Sequence, residues 1–355
     1  MSRIRPVATA ATLVAALALS LTACSSAPSA APPEDAAAAA SGPLVVTDDQ
    51  GRKVTLEDGP ADRAVVVGSF NVDLVLALGA KDEIVGVDQR TIDDLNFAGF
   101  DDSLSVGANG NELNYEAIIA KNPDVVFIYR NQGWEAAAQQ LEPLGIPVVV
   151  LSTWVFSEWN ASVELAATVL GREDEAAKVA AFSDEIATLL DRSKGGEASA
   201  YYETSDGATS GIEGGKSLAI KAANIRNIFG QSPGNTIDAD PVAILNEDPD
   251  IIVVETSNAY GGTSESDFQV KADELLARAG WNDLTAVKNE DLHLYNAWAF
   301  DLAGNQITPL FYAKWAYPDL YEDIDPLDYV TKWANEFVGA DDFDPADGYV
   351  YRVQP

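Results

Sequence analysis

"NYEAIIAKNPDVVFIYRNQGW", residues 114–134, decides the fold. Val125, Val126, Phe127 and Ile128 form an unbroken apolar run, which suits a strand covered on both faces, as in a parallel sheet. The residues before it, from Asn114 to Asp124, read as a helix with Asn114 as N-cap, followed by a Pro-Asp corner. The phrase returns as "PVAILNEDPDIIVVE" at 241–255, again helix, Pro-Asp corner and β-branched strand. A unit used twice so far apart is not a short-period repeat array, and it predicts two lobes of like construction.

Outward from these strands the chain alternates. "RAVVVGS" (63–69), "DEIVGVD" (82–88) and "IPVVVLS" (146–152) read as buried strands, separated by helical segments such as "NVDLVLALG" (71–79) and "AAAQQLEPLG" (136–145). That alternation predicts an α/β fold with a doubly wound lobe over residues 43–157. Strand signals vanish over 158–195. Val163, Ala167, Leu170, Val179, Phe182, Ile186 and Leu190 recur there at helical spacing, so this segment is one long linking helix or two in tandem, interrupted at Gly171 and "RED". Alternation resumes in "ASAYYET" (198–204), the 241–256 phrase and "DLHLYNAW" (291–298), which make 196–355 the second doubly wound α/β lobe.

The ends and totals bound the rest. Arg3 and Arg5, a short apolar run and "LTAC" at 21–24 make residues 1–24 a secretory signal. "LTAC" resembles the bacterial lipobox, which implies a lipid on Cys24, the only cysteine in the chain. Residues 25–42, rich in Ala, Pro and Ser and without periodicity, read as a flexible tether. This places a globular body outside the cytoplasm, on the outer face of the cell membrane and held by the lipid alone. A net charge of −34 argues against nucleic acid and against docking on anionic headgroups.

In an open α/β sheet, ligands bind beyond the carboxyl ends of the strands. That rule nominates Phe70, Tyr129, Arg130, Trp134 and Trp154 in the first lobe, and Tyr202, Trp298 and Phe300 in the second. Aromatics at a cleft supply broad, rigid contact area, although the same residues also serve as core or rim. Arg130 ends an apolar strand and so needs solvent or an anion, which is either a ligand's oxygen or a neighbouring carboxylate at the surface. With one histidine, one methionine and the single Cys24, a metal site built on several histidines is excluded; His293 reads as a strand residue. No nucleophile–base set or GxSxG is present, and "GIEGGKS" (211–217) lacks the first glycine of a phosphate-cradling loop. Acidic pairs are numerous enough that an extracellular carboxylate-based hydrolase stands as the alternative of another class.

Together "VVTDDQGRKVTL" (45–56), "RAVVVGSFNVDLVLALGAKDEIVGVD" (63–88), "NYEAIIAKNPDVVFI" (114–128), "WNDLTAVKNEDLHLYN" (281–296) and "LFYAKWAYPDLYEDIDP" (310–326) resemble the substrate-binding proteins of ABC importers. The group they are most similar to binds iron–siderophore complexes, haem and corrinoids. The resemblance spans roughly residues 44–339. It implies two α/β lobes joined by a rigid helix, with a ligand cleft between them and an ABC permease and its ATPase as partners. It implies a monomer with no cofactor of its own, not an enzyme, that carries a metal chelate such as a ferric siderophore, or else a corrinoid or haem. By the same resemblance Glu116, seven residues before Pro123, would dock to the permease. The matching position in the second lobe is Val242, so Asp240 is the second docking candidate, although Asp240-Pro241 also suits a helix N-cap. Siderophore binders of this kind often carry further arginines late in the second lobe. "AFDLAGNQITPLFYAKW" (299–315) has none, which argues against a strongly anionic ligand.

Overall fold

The structure, a computed structural model, describes residues 42–354 except 258–261, 342, 345 and 347. The signal segment, Cys24 and the tether up to residue 41 lie outside the described residues.

A hairpin opens the fold: β1 (Leu44–Thr47) pairs antiparallel with β2 (Lys53–Leu56). Its turn is stapled by Asp48, whose carboxylate accepts from the backbone of Gln50 and Arg52 and from the Arg52 guanidinium. The first lobe follows, with β3 (Ala64–Val66), α1 (Ser69–Ala77), β4 (Ile84–Val87), α2 (Gln89–Asp94), α3 (Tyr115–Lys121), β5 (Val125–Ile128), α4 (Trp134–Leu141) and β6 (Val148–Val150). Its strands lie in the order β4-β3-β5-β6, all parallel. Every residue of β5 is buried, as a strand covered on both faces must be. From Asn71 to Ala77 every residue of α1 is buried too, which makes it a core helix rather than an amphipathic cover.

The linking segment is two helices, α5 (Trp159–Leu170) and α6 (Glu173–Leu190), not one. Gly171 closes α5 in the left-handed conformation, at φ 64°, and the chain restarts at Glu173.

The second lobe contains β7 (Ser199–Glu203), β8 (Ala208–Ser210), α7 (Gly215–Ala222), β9 (Arg226–Asn227), β10 (Thr236–Asp238), α8 (Pro241–Glu247) and β11 (Ile251–Ser257). After these come α9 (Glu265–Leu276), α10 (Thr285–Lys288), β12 (Leu292–Asn296), α11 (Ala297–Asp301), α12 (Thr308–Ala316), α13 (Pro326–Lys332) and β13 (Val350–Arg352). The sheet order is β13-β12-β11-β7-β9, parallel except at β13, which runs antiparallel along the edge. A small antiparallel pair, β8 with β10, stands apart from this sheet.

The repeated phrase folds the same way in both lobes. Asn114 and Asp240 cap α3 and α8 by accepting from the backbone of Ala117 and Val242. Both helices end on a left-handed residue, Asn122 at φ 48° and Asp248 at φ 43°, and the proline that follows cannot continue a helix. Each then feeds an interior strand of its sheet. One apolar cluster runs through both lobes, from Val46 in the hairpin through Leu74, Val163 and Phe182 to Leu310 and Trp333. The lobes therefore share a core rather than meeting only at an edge.

Candidate ligand cleft between the lobes

A cavity of about 420 Å³ opens between the lobes at the carboxyl ends of the strands. From the first lobe Gly68, Ser69, Phe70, Tyr129, Gln132 and Trp154 line it. From the second come Tyr202 and Thr204 at the end of β7, Ser210, Lys216 on α7, and Asp301 and Asn305 beyond α11.

Local geometry explains several of these placements. Tyr129 leaves β5 and passes directly over Gly68, where a Cβ would lie 2.2 Å from the tyrosine ring; Gly68 also sits at φ 96°. Only glycine fits there. The Tyr129 hydroxyl accepts from the Phe70 N–H at 2.7 Å, satisfying a donor at the start of α1. Burial pushes the Tyr129 hydroxyl well above the usual tyrosine range, so it stays neutral. Asp88 works in the same way, its carboxylate accepting from the Gly68 N–H and the Thr91 hydroxyl, each at 2.7 Å. Both side chains build the wall, with their polar atoms already engaged.

The half-buried cation of the cavity is Lys216. Its Nζ donates to Asp301 Oδ1 and Asn305 Oδ1, both at 3.0 Å, and its side chain is 17% exposed. Burial works to lower its pKa, but the charge of Asp301 and the neighbouring Tyr312 and Glu255 outweigh it and hold the lysine above its ordinary value. Beneath it, Glu255 accepts from the hydroxyls of Tyr202 at 2.9 Å and Tyr295 at 3.3 Å. Burial raises the Glu255 pKa against the opposing pull of Lys216. Arg90 reaches the rim, 74% exposed and 3.6 Å from Asp94. Among the described residues each cation of the wall thus faces a carboxylate, and with Asp88 they carry no excess positive charge.

Of the eight aromatic and cationic candidates from the sequence, Phe70, Tyr129, Trp154 and Tyr202 line the cavity. The Trp154 indole N–H is buried with no hydrogen-bond partner among the described residues. Trp298 borders a pocket of about 30 Å³ beside the cleft, together with Phe70, Asp73 and Asp301. The other three lie elsewhere. Phe300 is fully buried, with ring centroids of Tyr295 at 4.0 Å and Phe311 at 4.1 Å, so it packs the core. Trp134 starts α4 under the Arg52 guanidinium, 4.8 Å from its ring centroid. Arg130 is turned away from the cavity: its guanidinium pairs with Glu158 and lies 3.8 Å from Asp49. The carboxylate that Arg130 needed is the protein's own. Its neighbours Asn131 and Gln132 reach the cavity instead.

Lys216, Ser210 and Gln132 were not nominated by the strand-end rule, because they sit on the β8–α7 excursion or one turn past a strand exit; Thr204 stands at the exit of β7 itself, and the choice of aromatics and cations passed over it. The one sequence signal was the Gly-Gly-Lys-Ser in 214–217, which marks a tight backbone approach, not a phosphate cradle. Of the docking candidates, Glu116 is exposed in the first turn of α3, with no hydrogen bond or ion pair among the described residues. Asp240 is exposed, and one carboxylate oxygen caps α8.

Two lobes, a shared core and a cleft at the strand ends define a solute-binding protein, and the chain belongs to the periplasmic binding protein family, which matches residues 65–297. It is similar to the molybdate-binding protein MolA of Haemophilus influenzae, 24% identical over 338 residues that span 82% of this chain and 90% of MolA. In fold it resembles FepB of Veillonella parvula, a TroA-like periplasmic binding protein, with a TM-score of 0.71, 20% identity, and 88% of this chain and all of FepB covered. The vitamin B12-binding protein BtuF of Vibrio cholerae superposes with a TM-score of 0.57 at 18% identity, over 72% of this chain and 97% of BtuF. The chain is accordingly the solute-binding protein of an ABC transporter, which binds a small ligand outside the cytoplasm and delivers it to a permease, and it is not an enzyme. No helix among the described residues is long and apolar enough to cross a membrane.

Proposed function

We propose that this protein captures a neutral or modestly cationic metal chelate, of the ferric hydroxamate siderophore class, and hands it to its permease. The observation that carries this reading is the composition of the cavity wall. Phe70 and Trp154 offer apolar faces from the first lobe and Tyr202, 3% exposed, an edge from the second, while each cation of the wall is matched by a carboxylate. A bulky chelate with an apolar periphery uses the aromatic area. A highly charged anion would meet Asp88, Asp94 and Asp301 without a surplus of positive charge.

A bare oxyanion is the second reading. It is favoured by the likeness to MolA and by the half-buried Lys216, which shares the cavity wall with Thr204 and Ser210. Glu116 on the first lobe and Asp240 on the second are proposed to contact the permease, and Cys24 to carry the lipid.

Tryptophan fluorescence titrated with a panel separates the readings. The panel holds a neutral and a cationic ferric trishydroxamate, an anionic ferric catecholate, haemin, cobalamin and molybdate. Saturable quenching by the trishydroxamates at micromolar concentration or below is expected. Response to molybdate alone would favour the oxyanion, and response to haemin or cobalamin alone would move the ligand to a macrocycle.

A further inference from the structure

Asp73 is the one charged residue of α1, and it is buried. It belongs to the first lobe, but both of its carboxylate oxygens are used by the second. Oδ2 accepts from the Ala303 N–H and Oδ1 from the Trp333 indole N–H, each at 3.0 Å. Ala303, Gly304 and Asn305 all have positive φ, at 51°, 59° and 66°. Three successive left-handed residues form a conformation that side-chain-bearing residues resist, so something outside the turn must hold it. First-lobe and linker residues press on it as well: a Cβ on Gly304 would lie 2.3 Å from the Trp159 ring and 2.6 Å from the Thr153 carbonyl. Asn305, which ends the turn, and Asp301, two residues before its start, are the two groups that grip Lys216. A pocket of about 30 Å³, bounded by Phe70, Asp73, Trp298 and Asp301 among others, separates the carboxylate of Asp73 from the cleft.

We infer that Asp73 is a positioning residue for the cleft: by holding the left-handed turn at 303–305 it fixes the Asp301–Asn305 fork on Lys216, so the first lobe sets the charge arrangement on the wall of the second. That the fork matters for a ligand rests on the chelate reading above; the coupling from Asp73 to Lys216 does not.

Protonation is the natural lever on this contact. Burial raises Asp73 to about 7, against the lowering effect of the hydrogen bonds from Trp333 and Ala303. The other titratable groups near it are Asp94 and Asp301, across the small pocket. Asp94 is itself raised by burial, with Arg90 opposing. A protonated Asp73 turns one acceptor oxygen into a donor and weakens one of the two bonds. The sign is opposite for stability: a carboxyl whose folded pKa is raised favours the fold as pH drops from about 7 towards its unfolded value. Lowering the pH should therefore loosen the turn while this group stabilises the fold. A merely structural role would move both in the same direction.

The test uses the mature protein without ligand. Lys216 is labelled with acetic anhydride at fixed pH in the wild type, in Asp73→Asn and in Asp301→Asn as a positive control. Hydrogen exchange of the 301–306 backbone is followed at pH 8 and pH 6, corrected for intrinsic rates. Asp73→Asn should speed Lys216 labelling on the order of tenfold, the scale of one lost buried hydrogen bond. Wild-type protection of the turn should fall between pH 8 and pH 6. If Asp73→Asn labels like the wild type, the inference is overturned; wild-type protection that does not change with pH overturns only protonation as its lever. Should the variant fail to fold, Trp333→Phe, which removes the donor to Asp73 Oδ1 and keeps an aromatic ring, is labelled in its place, and labelling like the wild type overturns the inference. A ferric trishydroxamate titration runs in parallel; failure of the wild type to bind it would sink the chelate reading and leave the labelling result standing.

Discussion

The units α3–β5 and α8–β11 share a side-chain N-cap, a left-handed C-cap, a proline and an interior strand, but their strand exits do opposite things. In the first lobe Tyr129 lends its hydroxyl to the start of α1, and Arg130 folds back onto Glu158. In the second, Glu255 lies under the cleft, bound to two tyrosines and within the field of Lys216. A shared scaffold fixes where side chains leave the sheet. Which of them face the ligand is decided by partners far away in sequence.

Substitutions that exchange core and cleft assignments would break this comparison most visibly. Phe300→Ala removes a ring packed between Tyr295 and Phe311, and a loss of about 3–5 kcal/mol in chemical denaturation is expected. A small stability loss with a large affinity loss would instead return Phe300 to the cleft. His293, buried and stacked on Trp315 at 4.4 Å, is next. Burial and the Arg352 charge lower its pKa to about 3, below its unfolded value. The neutral ring thus contributes stability that is complete above pH 6.5 and is lost as pH falls towards 3, on the order of a few kcal/mol in total. His293→Phe should flatten that acid limb; an unchanged limb would refute the assignment.

Smaller effects sharpen the contrast between exits. Trp154→Ala should weaken chelate binding by about 1–2 kcal/mol, while stability changes by less than that because the ring faces the cavity. Arg130→Ala should leave affinity within about twofold and reduce stability by roughly 1 kcal/mol, since its guanidinium serves Glu158 and Asp49. Strong loss of affinity would restore it as the ligand's charge partner. Glu116→Ala should alter neither stability nor affinity, yet lower uptake in cells that carry the permease. Lost ligand binding would mean the residue belongs to the cleft.

The α/β alternation was legible because β5 and β11 are buried on both faces and so advertise themselves as unbroken apolar runs. The break at Gly171 was visible as an interruption, but periodicity alone does not say whether a helix bends or ends there. The β8–β10 pair was not legible: its strands are three residues long and lie among glycines and polar residues. Lys216 was passed over because Asp301 and Asn305, which place it in the cleft, lie 85 and 89 residues away. Arg130 was nominated for the ligand because it ends an apolar strand; that Glu158, 28 residues on, takes its guanidinium instead depends on packing that no local pattern encodes.

The central claim, that a metal chelate lies in the cleft between the lobes against Phe70 and Trp154, is tested most directly by locating the metal. Crystals grown with a ferric trishydroxamate and measured at the iron absorption edge should give one strong anomalous peak in the cavity bounded by Phe70, Trp154 and Tyr202. An iron peak outside that cavity, or none in crystals soaked to saturation, would contradict it.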